Sequence, residues 1–373
     1  MEEESLIPKI TPLGILYVAG FFIVIESVLL SMSARGRLTR SVEEKGAFFF
    51  PLLISIFFTW WIGTRPYSGY GDTINYYMGY QSGLANGAGE IIVNFGAEWV
   101  WSALTIICMN SGLDATGYFT VVAAGYMLNA MWAIKKFVPT SPMIGLLFLI
   151  SSLFFFSFGV NGIRNGLACH LLLLGMAFFM EDKRVIAGVI ALLAMGVHRS
   201  VMLPIAASIA GMTVVRNPKY AFYIWLASIP LSFVLGGFFT GFLAGLGVDD
   251  RMASYAEGYN DNVYTNTGYR WDFLLYSAIG VYYYWHVNLR KKKRDGWYNL
   301  IATTYMLSNA VWVMINRIEY SNRFAYLSWF LMPVLFAYPL CNMKAWEPNQ
   351  NEMASKILFG YWGISLFMYT FYW

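Results

Sequence analysis

Arginine is the residue through which this sequence could do chemistry. The segment Asn161-Gly162-Ile163-Arg164-Asn165-Gly166 sets Arg164 at the expected start of a helix. Free backbone N–H groups and the positive end of the helix dipole already favour an anion there. A cation belongs in such a place only when something negative joins it, so the segment reads as a phosphate site. In His198-Arg199-Ser200 an imidazole stands beside a guanidinium between two apolar runs. A neighbouring cation favours the neutral, proton-accepting imidazole, which leaves catalysis, substrate hydrogen bonding and a structural role open for His198. Gly63-Thr64-Arg65-Pro66 leads into Gly69-Tyr70-Gly71-Asp72 and then Tyr76 and Tyr77. Pro66 and the glycines fix a turn, which puts Asp72 near Arg65 as a general base or as the partner that holds it. Between Asn316 and Tyr326, Arg317, Glu319 and Arg323 crowd one hairpin, and Arg323 and Tyr326 share a helix face at i, i+3.

These residues need elements to position them, and composition says what kind. Of 373 residues, 58% are hydrophobic, 18% aromatic and 12% charged, with a mean hydropathy of +0.52. A soluble globule carries about 25% charged residues, so this chain cannot cover its surface in water and its solvent is mostly lipid. Apolar stretches at 12–33, 47–63, 116–135, 142–159, 165–181, 185–199, 201–215, 220–246, 272–289, 297–316, 324–343 and 357–373 predict about twelve transmembrane helices in an all-α polytopic protein. Lys and Arg collect in cytoplasmic loops. Arg35/Arg37/Arg40/Lys45, Lys135/Lys136, Lys183/Arg184, Arg216/Lys219, Arg290 to Arg294, and Lys344/Lys356 alternate correctly only if the amphipathic stretch 98–112 does not cross. That stretch therefore reads as a re-entrant or interfacial helix on the outer side, and both termini face outward. The opening residues Glu2, Glu3 and Glu4 lack the basic start of a signal peptide. Residues 1–373 read as one membrane domain, with long outer loops at about 64–97 and 247–271 rich in Tyr, Gly and Asn.

With that topology the outer side holds Arg65, Arg164, Arg199, Arg251, Arg270, Arg317 and Arg323, and no lysine except Lys9. The guanidinium fork binds phosphate bidentately and stays charged when partly desolvated. The set points to a polyanionic ligand outside; the plainer reading pairs these arginines with Asp72, Glu98, Asp272 and Glu319. Glu26, deep in the first apolar run, is either a proton carrier or a hydrogen-bonding group. Cys108, Cys169 and Cys341 have no CxxC spacing and support neither a disulfide framework nor a zinc site. The modest net charge of +4 argues against nucleic acid as a partner. There is no HExxH, GxSxG, P-loop or dinucleotide fingerprint, and the inner loops are too short for a nucleotide-sugar domain.

Five short motifs in order resemble the EpsG-like, Wzy-type polysaccharide polymerases. Gly63-Thr64-Arg65, Gly71-Asp72 and Tyr76 resemble one element, and Glu98 resembles the Glu that follows it. Gly162-Ile163-Arg164-Asn165-Gly166-Leu167-Ala168 resembles the "iRQglA" element, with Asn165 in place of the usual Gln. Gly196-Val197-His198-Arg199-Ser200 resembles "fHxSa", and Arg323 to Tyr326 a late "R…Y". The resemblance implies a metal-independent, GT-C-like membrane glycosyltransferase of the bacterial inner membrane, using no cofactor. Its substrates would be oligosaccharide repeat units on undecaprenyl diphosphate, joined at the outer, periplasmic face into O-antigen, capsule or exopolysaccharide. A chain-length regulator and a flippase are the partners it implies. On that reading Arg164 and Arg323 hold diphosphate, with Arg65, Arg199, Arg317, Tyr76 and Tyr326 around the substrate, and His198, Glu98 or Asp72 is the base. An O-antigen-type ligase, a lipid-linked oligosaccharide flippase or exporter, and a membrane O-acyltransferase are the alternatives.

Overall fold

The computed structural model describes residues 10–34, 40–87, 98–246 and 268–371; the side chains of 34 and 40–48 are outside the description. Arg251, most of the expected outer loop at 247–271, and residues 88–97 of the other loop also lie outside the described residues. Among the described residues the structure is helical throughout, with no strand. Packing divides the chain into two compact units, Met1–His198 with Pro348–Trp373, and Arg199–Glu347.

The first unit contains α1 (Pro12–Ala34), α2 (Arg40–Gly63), α3 (Thr73–Asn86), α4 (Trp99–Asn110), α5 (Ala115–Phe137), α6 (Pro142–Ile150), α7 (Leu153–Val160), α8 (Ile163–Met180), α9 (Arg184–Val197) and α16 (Gln350–Phe371). Helix α5 shows why these stretches coil where they do. The Asp114 carboxylate caps its first turn by accepting from the Gly117 N–H at 2.7 Å, and Lys135 and Lys136 sit in its last turn. Both ends therefore complement the helix dipole. Helix α5 packs against α2 on one side and α8 on another, α8 against α9, and α1 against α16.

Every apolar stretch expected to cross holds helix. Among the described residues, five helical stretches, with 322–341 counted as one, are long and apolar enough to span a membrane, six if the bent pair α6 and α7 is counted as one. That pair breaks at Ser151-Ser152 with a bend of 76°. The break is covered by hydroxyls: Ser152 Oγ bonds Tyr361 Oη at 2.8 Å, Tyr369 donates to the Leu153 carbonyl at 2.5 Å, and Tyr126 donates to that of Phe155 at 3.1 Å. The stretch 98–112 forms the 12-residue helix α4. At 1.5 Å per residue that is about 18 Å, short of a bilayer core.

One element differs from the sequence reading. The Tyr-rich segment 64–97, expected as loop, contains helix α3. Its tyrosines are spent on packing. Tyr80 is buried, stacks on Tyr118 at 4.4 Å and donates to the Leu113 carbonyl, while Tyr77 stacks on Tyr67 at 4.2 Å. Glycines at 79 and 83 give this segment a weak helical signature in sequence; aromatic burial against α4 and α5 overrides it.

The second unit contains α10 (Met202–Thr213), α11 (Pro218–Gly245), α12 (Trp271–Trp285), α13 (Gly296–Met314), α14 (Asn322–Trp329) and α15 (Met332–Cys341). A buried polar knot ties four of them together. Asn309 on α13 accepts from Trp225 Nε1 at 2.7 Å and donates to Ser277 Oγ at 3.0 Å and Ser328 Oγ at 2.9 Å. Trp329 Nε1 also donates to Ser277 Oγ. Low dielectric makes such a network costly to leave half-satisfied. Asn309→Ala strands the Trp225 donor, so a loss of about 1–3 kcal/mol is expected. It would be read as a lower melting temperature by tryptophan fluorescence of the detergent-solubilised protein; an unchanged melting temperature would mean that water replaces the amide.

Candidate active site

Charges sort to the two ends of the first unit. At one end Lys136 and Lys183 both bond Glu181, at 2.7 and 2.8 Å, joining the ends of α5 and α8 to the start of α9. At the other end Tyr76, Glu98, Arg164 and His198 come together.

Glu98 is the hub. It occupies the N-cap position of α4, yet its side chain makes no capping hydrogen bond. One carboxylate oxygen accepts from Arg164 Nη1 and the other from His198 Nδ1. The Arg164 Nε donates to Tyr76 Oη at 3.2 Å, and Trp101 packs edge-on against the Tyr76 ring at 5.8 Å. Glu98 and His198 side chains are only 12% and 17% exposed, while Arg164 keeps 26%, so the guanidinium remains within reach of a ligand. Among the described residues, neither Arg164 Nη2 nor His198 Nε2 has a hydrogen-bond partner. Burial pushes the Glu98 carboxyl up, but the hydrogen bond and charge of His198 and the charge of Arg164 outweigh it and hold the carboxyl below its ordinary range. A carboxylate can only accept, so Nδ1 is the nitrogen of His198 that donates, and in the neutral imidazole the lone pair then lies at Nε2. This carboxylate–imidazole dyad is the arrangement that makes a positioned general base.

The backbone brings these groups together by close approach. His198 follows the last turn of α9 in an extended conformation. Two residues earlier, a Cβ on Gly196 would lie 2.5 Å from Val100 Cγ2 and 2.8 Å from Trp99 Nε1. The bare glycine lets α9 touch α4 beside the Glu98–His198 bond. Gly166 does the same for Arg164: a Cβ there would lie 2.6 Å from the Phe158 carbonyl oxygen. Gly196→Ala is expected to lower catalytic rate about 10–100-fold through misplacement of the dyad. Unchanged helicity by circular dichroism would separate this from unfolding, and a wild-type rate would show that the contact does not set the geometry.

Arg65 has a different environment. It is 3% exposed and donates to the Ile62 carbonyl at 2.7 Å, to Thr73 Oγ1 at 3.2 and 3.3 Å and to the Val160 carbonyl at 3.4 Å. Its guanidinium lies 4.5 Å over the Phe119 ring. Thr73 Oγ1 also donates to the Val160 carbonyl. Arg65 therefore ties the ends of α2 and α7 to the start of α3. Burial pushes its guanidinium down to about 10, which leaves it charged at neutral pH. Asp72 sits at the N-cap position of α3 without a side-chain cap.

The other sequence candidates belong to the second unit. Arg199 opens a 3-10 turn, Arg199–Val201. Arg317 lies 4.7 Å over the Phe233 ring, and Arg323 lies 5.0 Å over Tyr320. Tyr326 is buried, accepts from Asn322 Nδ2 at 3.2 Å and packs on Trp329. Arg270 pairs with Asp272 at 2.7 Å. That pair and Arg164–Glu98 follow the plainer ion-pair reading of the outer arginines. Sequence reasoning gave no part to Gly196, Trp101 or Thr73. Gly196, two residues before His198 in the motif, was the one with a visible signal. Among the described residues no three His, Cys, Asp or Glu side chains are grouped to hold a metal.

The chain matches the EpsG family over residues 48–373 and belongs to that family. The resemblance read from the motifs is thereby confirmed. No curated protein and no solved structure matches the chain. Family membership and the apolar helices together indicate a membrane protein of polysaccharide biosynthesis, of the polymerase type.

Proposed function

We propose that this protein is a metal-independent glycosyltransferase that polymerises oligosaccharide repeat units carried on undecaprenyl diphosphate. It would work at the outer, periplasmic face of a bacterial inner membrane, in a GT-C-like fold whose shorter helices bring the crossings to about twelve. The observation that carries the reading is the bridge made by Glu98 between a cation and a base. Supporting the orientation, the lysines and Glu181 gather at the opposite end of the same unit, as the positive-inside rule requires of the cytoplasmic end.

In this reaction His198 Nε2 accepts the proton of the acceptor sugar hydroxyl as its oxygen bonds to the donor's anomeric carbon. The bond from that carbon to the diphosphate oxygen breaks, and its electron pair leaves with the lipid diphosphate. Arg164, at the start of α8, meets the growing negative charge, with the helix N–H groups behind it. Glu98 holds the imidazole in the right tautomer and stabilises the imidazolium that forms. Arg65 acts by positioning the surrounding helix ends. A chain-length regulator and a flippase are the partners such a reaction would need.

The test is the size distribution of surface and lipid-linked glycan in a deletion strain. Single repeat units outside, restored to long chains by the wild-type gene and not by His198→Ala, are expected. Long chains stranded on the lipid carrier would replace polymerase by ligase. Units trapped inside would replace it by a transporter.

A further inference from the structure

Joining two lipid-linked units requires two anionic head groups to be held in one catalytic cycle, and the Glu98 cluster accounts for one. The second unit contains a cavity of about 130 Å³ between α11 and the turn that follows α13. Phe233, Gly236, Gly237 and Thr240 line it from α11, and Asn316 and Arg317 from the turn. Among the described residues Arg317 is the only charged one in its wall. The guanidinium lies 4.7 Å over Phe233 and 5.8 Å from Tyr269, which stacks on Phe233 at 4.7 Å. A ring face orients a guanidinium without cancelling its charge. In this respect Arg317 differs from Arg164 and Arg270, whose charges face Glu98 and Asp272. Asn316, by contrast, is held by both its amide atoms against the Arg270 backbone, which fixes the turn that carries Arg317.

What surrounds the cavity identifies the ligand further. Helix α11 is apolar enough to span, and its side chains beside the cavity are bare: Val234 is 81% and Phe238 75% exposed. A cationic cavity set in a lipid-facing apolar wall suits a phosphate that carries a hydrocarbon tail. We propose that this cavity is a second lipid-phosphate site, one that holds the diphosphate head of a polyprenyl-linked substrate. The proposal rests on the polymerase reading for its need of two such heads, and on the cavity itself for its place.

The experiment is binding of farnesyl diphosphate to the full chain in detergent micelles by isothermal titration calorimetry. Inorganic diphosphate and farnesol are titrated in parallel. Two sites per wild-type chain are expected, with one lost in Arg317→Ala and the other in Arg164→Ala. A second variant fills the cavity without touching charge. A Cβ on Gly237 meets nothing within 4 Å, so Gly237→Leu keeps the helix and occupies the space. It should weaken the same site as Arg317→Ala by at least about tenfold. A single wild-type site removed by Arg164→Ala alone, or wild-type binding in both cavity variants, would overturn the proposal while leaving the polymerase reading intact. Equal affinity for inorganic diphosphate would make it a free-anion site and overturn the lipid assignment. Units trapped inside a deletion strain would overturn the polymerase reading and leave this binding test standing, whereas normal polymerisation by Arg164→Ala would overturn only that residue's part in the reaction.

Discussion

Glu98→Gln is expected to lower the polymerisation rate about 10²–10⁴-fold, the range of a lost general base. Glutamine keeps the shape of the side chain but removes the charge that steadies a protonated His198. Its amide can also present a donor to Nδ1, which moves the imidazole proton to Nε2 and takes away the lone pair the acceptor hydroxyl needs. The measurement is turnover of a purified lipid-linked repeat unit in proteoliposomes. A rate within twofold of wild type would end the dyad's role as base. The same carboxyl sets a pH dependence. Its pKa lies below the ordinary 4.5 because of the partners named above. A depressed carboxylate contributes stability that is complete above the unfolded-state value and disappears as pH falls through the folded-state value. The bridge is therefore fully formed at neutral pH, and its loss on acidification belongs below the ordinary carboxylate range.

Arg164→Ala is expected to cost about 10²–10³ in rate, the loss of one preorganised donor to a developing anion. It also leaves the Glu98 carboxylate half-buried without its cation. Arg164→Lys restores the charge but not the planar fork that reaches Tyr76 and Glu98 together, so it should recover only part of the loss. The double variant Arg164→Ala/Glu98→Gln distinguishes a unit from two independent residues. Groups that act together are strongly non-additive, so the double should be about as slow as the slower single variant. A product of the two losses would mean that the salt bridge couples nothing.

Both predictions concern residues that the sequence marked; it offered Glu98 as an ion-pair partner for the outer arginines, but it did not mark the contact between Glu98 and His198. Arg164 at a helix start, His198 at a helix end and Glu98 at the head of a short amphipathic helix are positions that local pattern specifies. Apolar runs and loop charge also specify where most helices lie. That one carboxylate serves both the cation and the imidazole depends on how closely α9 approaches α4. That distance is set by the absence of a side chain at Gly196, and no periodicity reports it. Arg65 shows the reverse case. Its place after a span and before Pro66 fits a ligand-binding arginine, but its donors end on Thr73 and two backbone carbonyls. Helix α3 was hidden because its tyrosines pay for helix formation through contacts with α4 and α5 rather than through propensity.

The first unit is discontinuous: residues Met1–His198 are completed by Pro348–Trp373, with the whole second unit between them in the chain. A bilayer cannot satisfy the backbone groups freed by a broken helix, and at the α6–α7 break Tyr369 of α16 donates to the Leu153 carbonyl while Tyr361 bonds the Ser152 hydroxyl. Helix α7 ends at Val160, the carbonyl that receives Arg65 and Thr73. Synthesis runs from the N-terminus, and domains ordinarily fold as they emerge. Here the residues of the dyad are made long before the helix that closes their scaffold. The α6–α7 break therefore receives Tyr361 and Tyr369 only after the whole second unit has been synthesised.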